Sequence, residues 1–295
     1  MIKVSARLSL KAFARKRVLC GVAVYLVSPY ASAAMCMGQE VTVDLALGQL
    51  PTGGADVIRG TQFDDIIVAR GGDDIVCGRG GNDEISGGAG DDILQGGAGD
   101  DNIYGGAGDD TVSGGSGDDY LSGNEGDDTV QGGGGSDVAV GGPGSDFVFG
   151  GADDDQIAGN NFHNLPAGGN SSEFDLLYGG RGDDIVAGSD AMDTMFGGRG
   201  VDFLVGFGGS DDLRGGADND TLCAAYLGGG GEENLQFGDA GNDECLQDVS
   251  LVGDSVISNE NTSCENNELL LTMCESLTDE LVIGIIDPPG RVTPQ

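Results

Sequence analysis

The chain contains no tryptophan, a single histidine (His163) and only 5% aromatic residues. A groove that recognises polysaccharide by stacking sugars on flat side chains has little to be built from. Basic residues are also scarce, 13 against 50 acids, for a formal net charge of −37. Six of them (Lys3, Arg7, Lys11, Arg15, Lys16 and Arg17) lie in the first 17 residues, and the other seven are all arginine. From Ala34 onward the net charge is about −43, because every acid lies there. Nucleic acid is excluded as a partner, since phosphate contacts need a basic face. Multivalent cations, which prefer carboxylate oxygens, are favoured. There is no H-E-x-x-H, no G-x-S-x-G and no C-x-x-C. Metalloprotease, serine-hydrolase and zinc-ribbon chemistry therefore have no motif to act through. The chain is expected not to be an enzyme.

Long apolar runs are missing too. The longest early one, VLCGVAVYLVSPYASA, follows the basic stretch, is short for a membrane span and carries Pro29. Ala31 and Ala33 fit an A-x-A cleavage site before Ala34. Residues 1–33 are read as an export signal, with an uncleaved anchor as the alternative, and no transmembrane segment remains after cleavage. The expected location is extracellular, secreted or at the cell surface. Of seven cysteines, Cys20 leaves with the signal. The six left (Cys36, Cys77, Cys223, Cys245, Cys264 and Cys274) are an even number in an exported chain, which reads as disulfides. Cys36 precedes the first repeat unit and Cys77 ends the third, so these two are paired. Cys264 and Cys274 would close a short loop, leaving Cys223 for Cys245.

What the chain has in abundance is glycine, 58 residues, set in a strict period. Stepping by nine from Asp92, aspartate falls at 56, 65, 74, 83, 92, 101, 110, 119, 128, 137, 146 and 155 without a slip. Two residues after each sits an apolar side chain, from Ile58 to Ile157. The unit is G-G-x-G-x-D-x-(aliphatic)-x, and the first block covers 51–158. Residues 159–169, GNNFHNLPAGG, interrupt it as a loop carrying His163. A second, more degenerate block over 170–246 has aspartate at 175, 184, 193, 202, 211 and 220. After the insert AAYL, GGGGEENLQ reads as a decayed unit with Glu233 in the acidic slot, and GDAGNDECL as a last one with Asp243. Residues 34–50 alternate at Val41, Val43 and Leu45 and read as an N-terminal capping strand. Residues 247–295 lack the repeat and read as a C-terminal cap or tail. Only 17 residues separate the cleavage site from the first unit, which leaves no room for a catalytic domain ahead of it.

A nine-residue period with one inward side chain does not fit a helix face. The glycine-rich half suits a turn, because glycine permits positive φ and close backbone approach. The x-(aliphatic)-x half suits a very short strand. Two units then make one coil, coils stack as parallel strands, and the aspartates form two columns. Such a coil buries too little apolar surface to offset the ordering of its backbone, and stacked carboxylates repel. A hard divalent cation held by carboxylates and turn carbonyls reverses that balance, and flexible oxygen-only turns suit calcium better than zinc or magnesium.

The stretch GGAGDDILQGGAGDDNIYGGAGDDTVSGGSGDDYL resembles the RTX, or haemolysin-type, calcium-binding nonapeptide repeat. The resemblance implies an all-β fold, a right-handed parallel β-roll (β-solenoid) of stacked nonapeptide units with short end caps. It also implies multiple Ca2+ ions held by sixth-position aspartates of units n and n+2 with turn carbonyls. The expected metal ligands are Asp65, Asp74, Asp83, Asp92, Asp101, Asp110, Asp119, Asp128, Asp137, Asp146, Asp155, Asp175, Asp184, Asp202, Asp211 and Asp220. Asp56, at the start of the array, and Asp193, in the poor unit GSDAMDTMF, are left out. Fifth-position acids such as Asp91 and Asp100 read as solvated turn residues. The expected function is that of an exported calcium-binding protein whose repeats fold on binding Ca2+, with a structural, adhesive or matrix role and a cell-surface or matrix partner. The alternative is an accessory module of an extracellular enzyme such as a polysaccharide-modifying hydrolase or epimerase.

Overall fold

The computed structural model describes residues 35–160, 174–189 and 191–224, together with the backbone of short strands at 17–19, 22–24, 235–240, 244–247, 255–256 and 263–264. Most of the segment read as an export signal, His163, Glu233, Asp243 and Cys274 lie outside the described residues.

Parallel strands form two sheets, of twelve and eleven strands, in a β-solenoid of about 9 turns. Each strand pairs with the next but one in the chain, so successive units alternate between the sheets. The register is the repeat doubled: Leu94 lies opposite Val112, and Ile103 opposite Leu121. Glycine fills most first positions, with Ala69 an exception, because a Cβ has little space there. A methyl on Gly105 would collide with the Asp110 carboxylate and the Gly123 carbonyl of the next coil. The second position takes positive φ, as at Gly106 (φ 132°).

The eighth-position side chains, one per strand, make a single continuous core running from Val43 and Ile58 to Leu222. The core is one residue thick from each side, so no coil shelters its own apolar residue without neighbours. Outside the larger sheet the ninth-position rings of Phe149, Tyr178 and Phe196 stack at 5.3 and 4.5 Å between centroids, and the Arg214 guanidinium lies 5.5 Å from the Phe196 ring. These contacts add external support where the repeat is most degenerate.

The stack continues through the interrupting loop. Val148 pairs with Leu177 and Ile157 with Val186, so neither sheet is broken there. Farther on, the backbone register departs from the sequence reading. Gln236, not Leu235, lies opposite Leu213, one residue away from the frame that puts Glu233 in the acidic slot. The following strand keeps its frame, with Cys245 opposite Leu222. Two short strands, Ser255–Val256 and Ser263–Cys264, extend both sheets into the stretch read as a tail.

The N-terminal cap is also more broken than one strand. Met35–Cys36 and Gln39–Glu40 form an antiparallel pair, Val43–Asp44 joins the larger sheet beside Val57–Arg59, and Leu45–Leu47 is a 3-10 turn. Asp44 explains the turn: its carboxylate accepts the Ala46 N–H at 3.1 Å, and it also receives the Arg59 guanidinium at 2.5 Å. Cys36 and Cys77 form a disulfide that ties this cap to the third unit, as the sequence suggested. Cys223 is disulfide-bonded as well.

Truncation in the core should be costly in mid-stack. In calcium-replete thermal denaturation, Leu121→Ala is expected to lose about 2–5 kcal/mol. Ile66→Ala, at a position 75% exposed, should stay within about 0.5 kcal/mol of wild type. Equal losses would contradict the single-file core.

Candidate metal centre

The sixth-position aspartates stand in two columns, joined by one hydrogen bond per coil. Each backbone N–H donates to the Oδ1 of the aspartate one coil ahead, as from Asp92 to Asp110 at 2.7 Å and from Asp110 to Asp128 at 2.7 Å. One column runs Asp56, Asp74, Asp92, Asp110, Asp128, Asp146, Asp175, Asp193, Asp211. The other runs Asp65, Asp83, Asp101, Asp119, Asp137, Asp155, Asp184, Asp202, Asp220. All sixteen aspartates expected as ligands stand in these two columns, and Asp56 and Asp193 stand in line with them. Neither column is interrupted at the loop, where Asp146 reaches Asp175 and Asp155 reaches Asp184.

These carboxylates are buried, except the half-buried Asp65; Asp110 is 2% exposed and Asp128 0%. Their second oxygen is the unusual feature. Oδ2 of Asp74, Asp83, Asp92, Asp101, Asp110, Asp119, Asp128, Asp137, Asp146, Asp155, Asp184 and Asp202 is buried and has no hydrogen-bond partner. Buried polar atoms are nearly always paired, so a whole row of unpaired acceptors needs an explanation. All but Asp74, whose unit begins with Ala69, fold back over the first-position glycine of their own unit, and in several the matching carbonyl of the next coil also converges: Gly105 meets both Asp110 Oδ2 and the Gly123 carbonyl. Oxygens of two kinds converge there, and the carboxylate one has no donor, which suits a hard cation. Among the described residues no three His, Cys, Asp or Glu side chains gather at one point. A cation here would therefore draw on carboxylates of stacked turns and on backbone carbonyls.

Burial disfavours the ionised form and dominates the acidity of the column. It raises Asp74, Asp83, Asp128, Asp137, Asp184 and Asp193 to about 6, and Asp110, Asp119, Asp155 and Asp202 to about 7. The N–H received from the preceding coil opposes the shift, while neighbouring carboxylates add to it in most of the column. Asp146 is pushed furthest, to about 9, by burial and by Asp175, Asp128 and Asp127 around it.

The fifth-position acids form an outer ladder of opposite sense. Asp91 Oδ1 accepts the Asp109 N–H at 3.1 Å, and Asp109 Oδ1 accepts the Asp127 N–H at 3.1 Å. Serine can take the donating place, as where the Ser136 and Ser145 N–H groups donate to Asp118 and Asp127. These residues are exposed, as the sequence suggested, but they also cap one backbone donor per coil. The repeated acidic pair in each turn was the available signal.

The family model for the RTX calcium-binding nonapeptide repeat (four copies) matches residues 51–85, 78–112, 86–121, 104–138, 122–157, 131–165, 171–191 and 187–222, more than half of the chain. No curated protein matches the sequence.

The raised acidities set a pH dependence for the metal-free chain. The folded columns bind protons more tightly than the unfolded chain, so protonation stabilises them. That stability is fully present below the ordinary carboxylate value of 3.8 and is lost as pH rises through about 6 to 7. In chelator, far-UV dichroism is expected to show strand signal appearing as pH falls from 8 toward 4. Calcium affinity should fall over the same range as protons compete. A metal-free chain that loses strand on mild acidification would contradict the buried columns.

Proposed function

The chain belongs to the RTX calcium-binding nonapeptide repeat family, a calcium-binding repeat protein built as a β-solenoid, and from that premise we propose that it is an exported scaffold that folds on calcium outside the cell. The observation that carries this reading is the row of buried, unpaired Oδ2 atoms facing backbone carbonyls. The residues that would hold calcium are the sixth-position aspartates from Asp74 to Asp155 and, in the second block, Asp175, Asp184, Asp202, Asp211 and Asp220. Bound calcium supplies the positive charge that lets these carboxylates stay ionised while buried. The chain's own part is to bring stacked carboxylates within reach of one ion and to exclude water from the oxygens facing it. The two repeat blocks act as one array, and the biological task is structural: attachment, matrix assembly, or folding gated by external calcium. The export signal and the basic-poor, acid-rich composition support an extracellular setting, where calcium is abundant.

Circular dichroism of the mature chain with and without calcium tests the proposal. In chelator at pH 8 the chain is expected to be largely coil and expanded. Millimolar calcium should make it strand-rich and compact, with several ions bound, and magnesium should do far less. An identical compact state in chelator would overturn it.

Single substitutions separate the ligand column from the outer ladder. Asp110→Ala removes a buried ligand between Asp92 and Asp128 and should clearly raise the calcium midpoint or split the transition, since solenoid stability is close to a sum of neighbour terms. Asp109→Ala loses only exposed ladder bonds and should shift it much less. Equal shifts in calcium titrations would show that the sixth position is not the ligand column.

A further inference from the structure

The second position of the repeat divides the described units into two kinds. In most, this residue has positive φ whatever its type: ten glycines, and also Arg70 (90°), Arg79 (92°), Asn124 (76°) and Phe207 (64°). Its N–H then points to the first-position carbonyl of the next coil, as from Arg79 to Gly96 at 2.7 Å and from Asn124 to Gly141 at 3.0 Å. The exceptions among the described residues are Thr52, Thr61 and Ser189, which are absent from the positive-φ set. In these three the N–H turns inward to the Oδ2 of its own unit's aspartate: Thr52 to Asp56 at 2.7 Å, Thr61 to Asp65 at 2.6 Å and Ser189 to Asp193 at 2.6 Å.

The hydroxyl holds each of these turns. It accepts the N–H two residues on, from Gly54, Phe63 and Ala191. In two of the three it also donates to the same Oδ2, from Thr52 at 2.9 Å and from Ser189 at 3.1 Å. The oxygen that is unpaired in the regular units is therefore satisfied by the chain itself. Asp56 and Asp65 are the first members of the two columns. The same end of the solenoid carries the Cys36–Cys77 disulfide and the Asp44–Arg59 ion pair.

We propose that a second-position serine or threonine replaces calcium in its unit, and that the two threonine-closed turns, with the cap, form a calcium-independent nucleus on which the rest of the roll folds. The proposal rests on the calcium reading above and refines it: Asp56, Asp65 and Asp193 close their turns by hydrogen bonds and are not ligands. Ordering the first coil without metal supplies a template, so each later coil adds to an existing edge rather than nucleating its own.

Hydrogen exchange of the full, oxidised chain in chelator tests this. Amides from Val43 to Ile85 are expected to stay protected while those beyond exchange as coil, and calcium should extend protection through the stack. Thr52→Gly/Thr61→Gly should lose the N-terminal protection in chelator yet still fold in calcium. Exchange of the whole wild-type chain in chelator, followed by folding on calcium, overturns the nucleus but leaves the calcium reading standing. Protection throughout in chelator, unchanged by calcium, overturns both. Retained protection in the double variant assigns it to the disulfide and overturns the role of the hydroxyls. Ser189→Gly, remote from the cap, is the second variant. At saturation it should bind more calcium than wild type by equilibrium dialysis, and an unchanged count overturns the replacement of calcium by the hydroxyl.

Discussion

The constraint on which this structure depends is a buried carboxylate in every turn whose second oxygen faces other oxygens. Burial comes first. The sixth-position aspartate folds back across the start of its own unit, which a small residue, nearly always glycine, leaves open, and the next coil seals it from water. Once sealed, the carboxylate must be protonated, paired with a donor or neutralised by a cation. Nearly every regular feature of the repeat follows from placing it there. The first glycine clears the space, the second turns the chain, and one aliphatic residue per strand is all the interior that remains.

That interior is too narrow to fix the fold by apolar burial alone, so register is carried by polar ladders. The sixth-position chain of N–H to Oδ1 bonds runs one way along each column, and the fifth-position ladder runs the other way on the surface. Both repeat at the spacing of a full coil and hold successive turns in step. This explains why extra residues between Ala158 and Phe174 are tolerated. The residues that set register lie in the turns and strands, and closing a longer loop adds only a slowly growing entropy. The crossing is not neutral, however, because Asp146 meets Asp175 there in surroundings that strongly disfavour the ionised carboxylate.

The sequence makes the architecture legible because a period of nine leaves little freedom. The pairing of Leu94 with Val112, the two columns and the link from Cys36 to Cys77 all follow from counting. The strand frame at Gln236 does not, because the residues before it carry no periodic anchor and a one-residue slip leaves the composition unchanged. The strands at 255–256 and 263–264 are too short to show alternation. The hydroxyls of Thr52, Thr61 and Ser189 are visible in the sequence only as departures from glycine. Only the direction of the N–H, which depends on backbone φ, shows that they are a different solution to the same buried charge.

The two solutions have different consequences for how the roll responds to its surroundings. A turn closed by a hydroxyl and a backbone N–H carries its donor within the chain, so its stability is independent of what is dissolved outside. A turn closed by a cation is only as stable as the cation's concentration allows, because binding and folding are one equilibrium. A solenoid made wholly of the first kind would not sense calcium. One made wholly of the second would have no ordered edge from which to begin. Placing hydroxyl-closed turns at the head of both columns, beside a cap held by Asp44, Arg59 and the disulfide, keeps the response to calcium in the long glycine-rich middle. There each coil repeats the same unsatisfied oxygen, and the cost of leaving it unsatisfied is multiplied along the stack.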